Sequence, residues 1–389
     1  LKHRARSLAS AAGVPLAPGS GLILDLMTAR REAEEIGYPV MLKGTAGGGG
    51  IGMALCATSD ELKDNFDRVR RLAEANFGNA GIFLERFFPR ARHLEVQVFG
   101  DGQGQALSLG VRDCSAQRRN QKVLEETPPI GVNPETLMSL EESARKLARN
   151  VNYRSAGTIE FLYDEEEDSF FFLEVNTRLQ VEHGVTELVY GIDLVEWMIR
   201  LAQGDTTMFR DSGKSGQGHA VQARVYAENP ARNFEPCSGL ITNVKFPRQV
   251  RWDGWIGDGA EVTPFYDPLL AKILAHGKDR AEAIQKLQTA LAETEIHGIQ
   301  TNLEYLSEWV DTHWCGAEPV HTRSLETFTF IPRTIEVLRP GTQTTVQDYP
   351  GRLRYWDVGI PPSGPMDSFS FRLGNLLVGN HEGLSLIHI

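Results

Sequence analysis

Two neighbouring stretches alternate apolar and polar side chains with the period of a half-buried strand: Gly157-Thr-Ile-Glu-Phe-Leu-Tyr163 and Phe171-Phe-Leu-Glu-Val-Asn176. The acidic run Asp164-Glu-Glu-Glu-Asp168 joins them, which predicts an antiparallel hairpin. Centred on Glu167, the hairpin sets Glu160 opposite Glu174 and sends Phe171, Leu173 and Val175 into a core on the other face. The same parity runs on through Asn176, Arg178, Gln180 and Glu182. Shorter strands are predicted over 38–43, 53–56, 81–85, 93–100 and 105–112, the last two joined by the Asp101-Gly102 turn. His93, Glu95 and Gln97 share one strand face, and Gln222, Arg224 and Tyr226 share another. Helical periodicity marks 1–13, 28–36, 58–75, 134–149, 193–203 and 279–292, with Thr58-x-x-Glu61 as a capping box.

At 389 residues the chain has room for two or three domains with their own cores. A formal net charge of −11 leaves no basic excess for nucleic-acid phosphates. No stretch is apolar enough to span a membrane, and the start lacks a secretory pattern. Cys56, Cys114, Cys237 and Cys315 lie far apart and form no metal-ligand pair, so reduced thiols in a cytoplasmic protein are expected. Both ends read as cut. The chain opens at Leu1 inside a helical pattern, and residues 381–389 carry neither turn nor cap, so it reads as a fragment expected to be inactive alone.

Two carboxylates facing each other across a ladder repel, and a cation between them removes the conflict. Glu160, Glu174 and Asn176 offer hard oxygens suited to a magnesium ion that also binds nucleotide phosphates, although a solvated acidic hairpin would look alike. Gly47-Gly-Gly-Gly-Ile-Gly52 lies between two strands. It formally contains G-x-G-x-x-G, but a strand follows rather than a helix, and no Walker Gly-Lys-Ser/Thr is present. Such a flap lets backbone N–H groups approach phosphate, with Lys43 adding a point charge. The polar run Asp113–Lys122 is a further candidate site segment, or a solvated loop. Arg178, Gln180 and Glu182 combine a guanidinium, an amide and a carboxylate, a set able to hold a small planar anion and take its proton. An ordinary salt-bridged loop is the plainer alternative.

Taken in order, Lys43 with Gly47–Gly52, Glu85-Arg-Phe-Phe88, His93-Leu-Glu-Val-Gln97, Arg112-Asp-Cys-Ser-Ala-Gln-Arg-Arg-Asn-Gln-Lys122, Gly157-Thr-Ile-Glu160, Glu174-Val-Asn-Thr-Arg-Leu-Gln-Val-Glu-His183 and Arg224 resemble the ATP-grasp core of the biotin carboxylase family. The resemblance implies an α+β fold: an ATP-grasp domain over 1–211 without its N-terminal subdomain and with a mobile lid at about 18–87, a mixed α/β C-terminal domain over 212–330, and a truncated, mostly-β carboxyltransferase start over 334–389. It implies nucleotide contacts at Lys2, Lys43, Gly49, Gly50, Glu85, Arg86, Phe88, His93, Gln117 and Asn120, and magnesium or manganese ligands at Glu160, Glu174 and Asn176. Bicarbonate contacts fall on Lys122, Arg178, Gln180 and Val181, and the catalytic set on Glu182 as base with Arg178, Lys122 and Arg224. The implied cofactors are ATP, Mg2+ and a biotin borne on a carrier domain, since this chain has no Ala-Met-Lys-Met site.

Asn120 stands where acyl-CoA carboxylases usually carry His, and Ile51 where many carry Arg. Both are similar to the urea carboxylase branch, as are Thr334-Ile-Glu-Val-Leu-Arg-Pro-Gly341 and Gly359-Ile-Pro-Pro-Ser-Gly-Pro-Met-Asp367. That branch implies bicarbonate and urea as substrates, urea-1-carboxylate as product and an allophanate hydrolase as partner. A guanidine carboxylase would share these residues, whereas an acyl-CoA carboxylase is disfavoured by 334–367. A nucleotide-binding module that has lost catalysis would show a change among Glu160, Glu174, Arg178 and Glu182, and none is present.

Overall fold

The structure, a computed structural model, describes residues 2–44, 52–77, 81–210, 215–316, 318–332, 359, 367–379 and 381–382. The chain divides into two compact units, Leu1–Phe330 and Ile331–Ile389.

In the first unit, α1 (Lys2–Ala11) precedes α2 (Leu26–Ile36), whose N-terminus is capped by the Asp25 carboxylate accepting from the Thr28 amide. Strands β1 (Val40–Gly44), β2 (Met53–Cys56) and β3 (Ile82–Arg86) pair in the order β2-β1-β3. This small sheet packs on α2 and α3 (Ser59–Phe77) through Ala29, Ala33, Leu62, Phe66 and Val69.

The larger sheet is antiparallel throughout. It contains β4 (Arg92–Asp101), β5 (Ala106–Arg118), β6 (Gln121–Thr127), β7 (Arg154–Asp164), β8 (Ser169–Asn176), β9 (His219–Tyr226), β10 (Arg251–Gly254) and β11 (Leu269–Gly277). Their order is β10-β11-β9-β6-β5-β4-β7-β8. On one face, Leu94, Val96 and Val98 pack under α4 (Pro134–Asn150). On the same side of the neighbouring strands, Val221, Ala223 and Val225 pack with α7 (Arg280–Glu293) and α8 (Leu303–Trp309). The opposite face carries His93, Glu95, Gln97, Gln222 and Arg224, all buried. Polar groups are seldom buried unless partnered, so this second face is where chemistry is concentrated. Helices α5 (His183–Tyr190) and α6 (Leu194–Ala202) follow β8, and α5 seats Val185 and Val189 on Ala220 and Leu274.

Two local features differ from the sequence reading. Glu160 does pair with Glu174, but Phe161 pairs with Phe172, which leaves Leu173 as a one-residue bulge. The bulge reverses parity below it. Phe172 and Val175 join the main core, while Phe171 stacks on Phe88 in a separate cluster, with ring centroids 5.1 Å apart. Strand β5 also continues through the polar run to Arg118, turning at Arg119 and Asn120 with φ of 51° and 63°.

In the second unit the described residues form α9 (Ser368–Leu377), capped by Asp367. Most of the segment read as mostly β, residues 334–358 and 360–366 among it, lies outside the described residues.

Candidate active site

Lys122, on β6, is the hub of the buried polar face. Its Nζ donates to Glu95 Oε2 at 2.5 Å, Glu182 Oε1 at 2.7 Å and Glu160 Oε1 at 2.9 Å. Glu95 and Glu160 are adjacent because β4 and β7 align them, and Arg112 sits across from Glu95 on β5. Arg112 is fully buried and uses every donor. Its Nε donates to Glu95 Oε1 at 2.7 Å, Nη1 to Gln97 and Thr186, and Nη2 to Thr158 and Gln180. Glu182 forms the N-cap of α5, which brings its Oε2 within 3.0 Å of Arg224 Nη2.

Burial alone would push these carboxyls up. Burial of Glu95 is outweighed by Lys122 and Arg112, which hold it at about 2. For Glu160, burial is outweighed by His93 and Lys122, well below the usual carboxylate range. Burial and the Glu95 charge push Glu182 up, but Lys122, Arg224 and Arg112 hold it below its ordinary value. All three are therefore ionised at neutral pH.

Glu160 Oε1 also accepts from Asn176 Nδ2 and Gln180 Nε2, each at 2.8 Å. Glu160 Oε2 lies 3.1 Å from His93 Nε2, and His93 Nδ1 accepts from Gln117 Nε2 at 2.8 Å. Glu160 and Glu174 are ladder partners, with Asn176 two residues along the same strand. Rotating the Asn176 amide by a half-turn presents its oxygen beside the Glu160 carboxylate. Here the five carboxylates Glu95, Glu125, Glu160, Glu174 and Glu182 outnumber the four buried cations Arg112, Lys122, Arg224 and Lys272. The donor set and the charge excess both fit a hard divalent cation at Glu160, Glu174 and Asn176.

The nucleotide candidates fall into two groups. On the small sheet, Lys43 ion-pairs with Glu85, and Arg6 donates to the same carboxylate. Arg86 lies 5.6 Å over the Phe88 ring. His93 and Gln117 belong to the large sheet, and Asn120 sits at the β5–β6 turn. Gly49, Gly50 and Ile51 lie outside the described residues, as does the side chain of Lys2.

Strand parity fails beyond Asn176, where β8 ends. Arg178 is exposed and donates to the Leu179 carbonyl at 3.3 Å, whereas Gln180 and Glu182 are buried. The guanidinium on Glu182 is that of Arg224, 42 residues away, rather than Arg178. The Val181 carbonyl accepts from Lys272 Nζ at 2.7 Å. Arg112, Glu125 and Lys272 are structural members of this site that pattern reading passed over. Arg112 had one legible signal, a charge in an apolar strand opposite Glu95 across the Asp101-Gly102 turn. Glu125 and Lys272 had none.

Family models match this chain in sequence. The carbamoyl-phosphate synthase L chain, ATP binding domain, covers residues 2–208. The biotin carboxylase C-terminal domain covers 222–327, and the carboxyltransferase domain, subdomain A and B, covers 358–389. The chain is 51% identical over 380 residues to urea amidolyase of Saccharomyces cerevisiae, an alignment covering 98% of this chain and 21% of that protein. It is 46% identical over 308 residues to biotin carboxylase 2 of Bacillus subtilis, covering 78% and 69%. The biotin carboxylase domain of Hydrogenobacter thermophilus 2-oxoglutarate carboxylase, solved with MgADP, ADP and bicarbonate, aligns with a TM-score of 0.79 at 37% identity, over 84% of this chain and 72% of that one. The chain spans about a fifth of the length of the yeast urea amidolyase it matches.

Proposed function

The chain belongs to the biotin carboxylases, within the family of the carbamoyl-phosphate synthase L chain ATP-binding domain, and on that premise we propose that it performs the first half-reaction of a urea carboxylase. In that half-reaction bicarbonate attacks the γ-phosphate of ATP, ADP leaves, and the carboxyl group passes to a biotin nitrogen with release of phosphate. The observation that carries the reading is Glu182, a buried carboxylate kept ionised by Lys122 and Arg224 beside the acidic hairpin. It is poised to take the bicarbonate proton, turning a weak nucleophile into a stronger one. Lys122, Gln180, Val181 and Arg178 are the proposed bicarbonate contacts. Lys43, Glu85, Arg86, Phe88, His93, Gln117 and Asn120 are the proposed nucleotide contacts, with Lys2, Gly49 and Gly50.

Mg2+ held by Glu160, Glu174 and Asn176 would neutralise charge on the phosphates. Biotin supplies the acceptor nitrogen and arrives on a carrier domain. Arg224 places a fixed positive charge where the anionic intermediates form. Urea is the proposed final acceptor, because the match to the yeast urea amidolyase runs through 98% of this chain. An allophanate hydrolase would consume the product. Four free cysteines support a reducing, cytoplasmic setting. Among the described residues no helix is long and apolar enough to cross a membrane.

The test is ADP release by the whole protein that carries this sequence, with bicarbonate, Mg2+ and either urea or guanidine. Bicarbonate-dependent release stimulated by urea is expected. Faster turnover with guanidine reassigns the acceptor, and release indifferent to bicarbonate overturns the carboxylase reading.

A further inference from the structure

Arg224 is gripped at both ends. Strands β6 and β9 pair Glu125 with Gln222, which places the Glu125 carboxylate beside Arg224. Glu125 is fully buried. Its Oε1 accepts from Arg224 Nε at 2.5 Å and its Oε2 from Gln222 Nε2 at 2.9 Å. At the far end, Arg224 Nη2 reaches Glu182. We propose that Glu125 is a positioning residue that holds Arg224 in place when Glu182 becomes protonated. The inference rests on the reading of Glu182 as the base.

Once Glu182 takes a proton, its bond to Arg224 loses its ionic part. A long side chain held only by neutral bonds, to Glu182 and the Tyr226 hydroxyl, would then swing. The Nε–H bond to Glu125 prevents this, because Nε lies in the rigid guanidinium plane and fixes the direction of both Nη groups. The coupling runs the right way. Burial pushes the Glu125 carboxyl up, Arg224 opposes that, and the Glu182 charge adds to the upward push. Neutralising Glu182 removes the last of these, so Glu125 grips Arg224 more firmly at the moment the grip is needed. The other ionisable groups facing this pair are Glu95, Arg112, Lys122, Cys114, Tyr226 and Lys272.

The test uses the whole protein, with kcat and KM measured for bicarbonate-dependent ATP cleavage. Glu125→Gln keeps the shape and removes the charge. Its kcat should fall about tenfold to hundredfold, the usual cost of a slightly misplaced catalytic group. The KM for ATP should stay within about twofold, since Lys43, Glu85 and His93 are untouched. Glu125→Asp, which keeps the charge, should retain more activity than Glu125→Gln. If Glu125 works through Arg224, the double variant Glu125→Gln/Arg224→Lys should be no slower than Arg224→Lys alone. Fully additive losses, an unchanged kcat in Glu125→Gln, or a parallel rise in KM would overturn the proposal. Should Glu125→Gln not fold, Glu125→Asp takes its place in the cycle with the same two outcomes. A wild-type protein without bicarbonate-dependent cleavage refutes the reading of the base and this inference with it. An active wild type with an indifferent Glu125→Gln refutes the inference alone.

Discussion

Replacing Arg112 with Lys should be among the costliest conservative changes in this protein. Arg112 is fully buried and makes five hydrogen bonds, to Glu95, Gln97, Thr186, Thr158 and Gln180, at 2.7 to 3.2 Å. They tie together β4, β7, α5 and the loop before Glu182. A lysine ammonium is a point donor on a thinner stem. It can keep Glu95 and one neighbour, and the remaining three acceptors lose a charged donor. With net values of about 1–1.5 kcal/mol for each lost bond, the variant should lose about 3–5 kcal/mol. The first unit runs from Leu1 to Phe330. An unfolding entropy of about 2 cal/mol/K per residue converts that loss into a Tm about 4–7 °C lower. The assay is thermal and urea denaturation followed by circular dichroism, with Arg145→Lys as control. Arg145 is half-exposed in a pair with Glu142 at 2.7 Å, and its replacement should cost no more than about 0.5 kcal/mol. A Tm for Arg112→Lys within about 1 °C of wild type, or equal losses in both variants, would show that the five-bond geometry is not what holds this face together.

Three further outcomes are expected. Glu174→Gln should leave the protein folded but weaken nucleotide-dependent Mg2+ binding, with unchanged ATP cleavage at limiting Mg2+ as the contrary result. Glu182→Gln should lower bicarbonate-dependent phosphate release about a hundredfold with nearly normal ATP affinity, and a loss below about threefold would make Glu182 a mere anchor for Arg224 and Lys122. Acid should unfold the first unit through its buried carboxylates. Glu95 sits at about 2 in the folded state against an ordinary 4.5, so its contribution is complete above that ordinary value and drains away as pH falls towards the folded one. That contribution is roughly 3 kcal/mol, measurable by urea melts between about pH 6 and 3, where a flat profile would contradict the ion-pair network.

Local pattern settled a good deal before any tertiary contact was known. Strand-like alternation in 157–163 and 171–176, with an acidic turn between, is enough to specify a hairpin, because strand period and turn chemistry act over a few residues; the turn alone pairs Phe161 with Phe172 and would set Glu160 against Leu173, and the bulge at Leu173 is what brings Glu160 opposite Glu174. The motif series placed the chain in its family for the same reason: each motif is a short contiguous run. What lay beyond reach was set by contacts between distant segments. The bulge at Leu173 is one case, since it lets Phe171 stack on Phe88 while Phe172 enters the main core. The exposure of Arg178 is another, since it follows from β8 ending at Asn176 and parity lapsing with it. The holders of the site are the clearest case. Glu125 meets Arg224 across 99 residues of sequence, Arg112 meets Thr186 across 74, and Lys272 meets Val181 across 91. No periodicity can encode such pairings, because each exists only once two strands or a strand and a helix have been brought together by burying the opposite, apolar face.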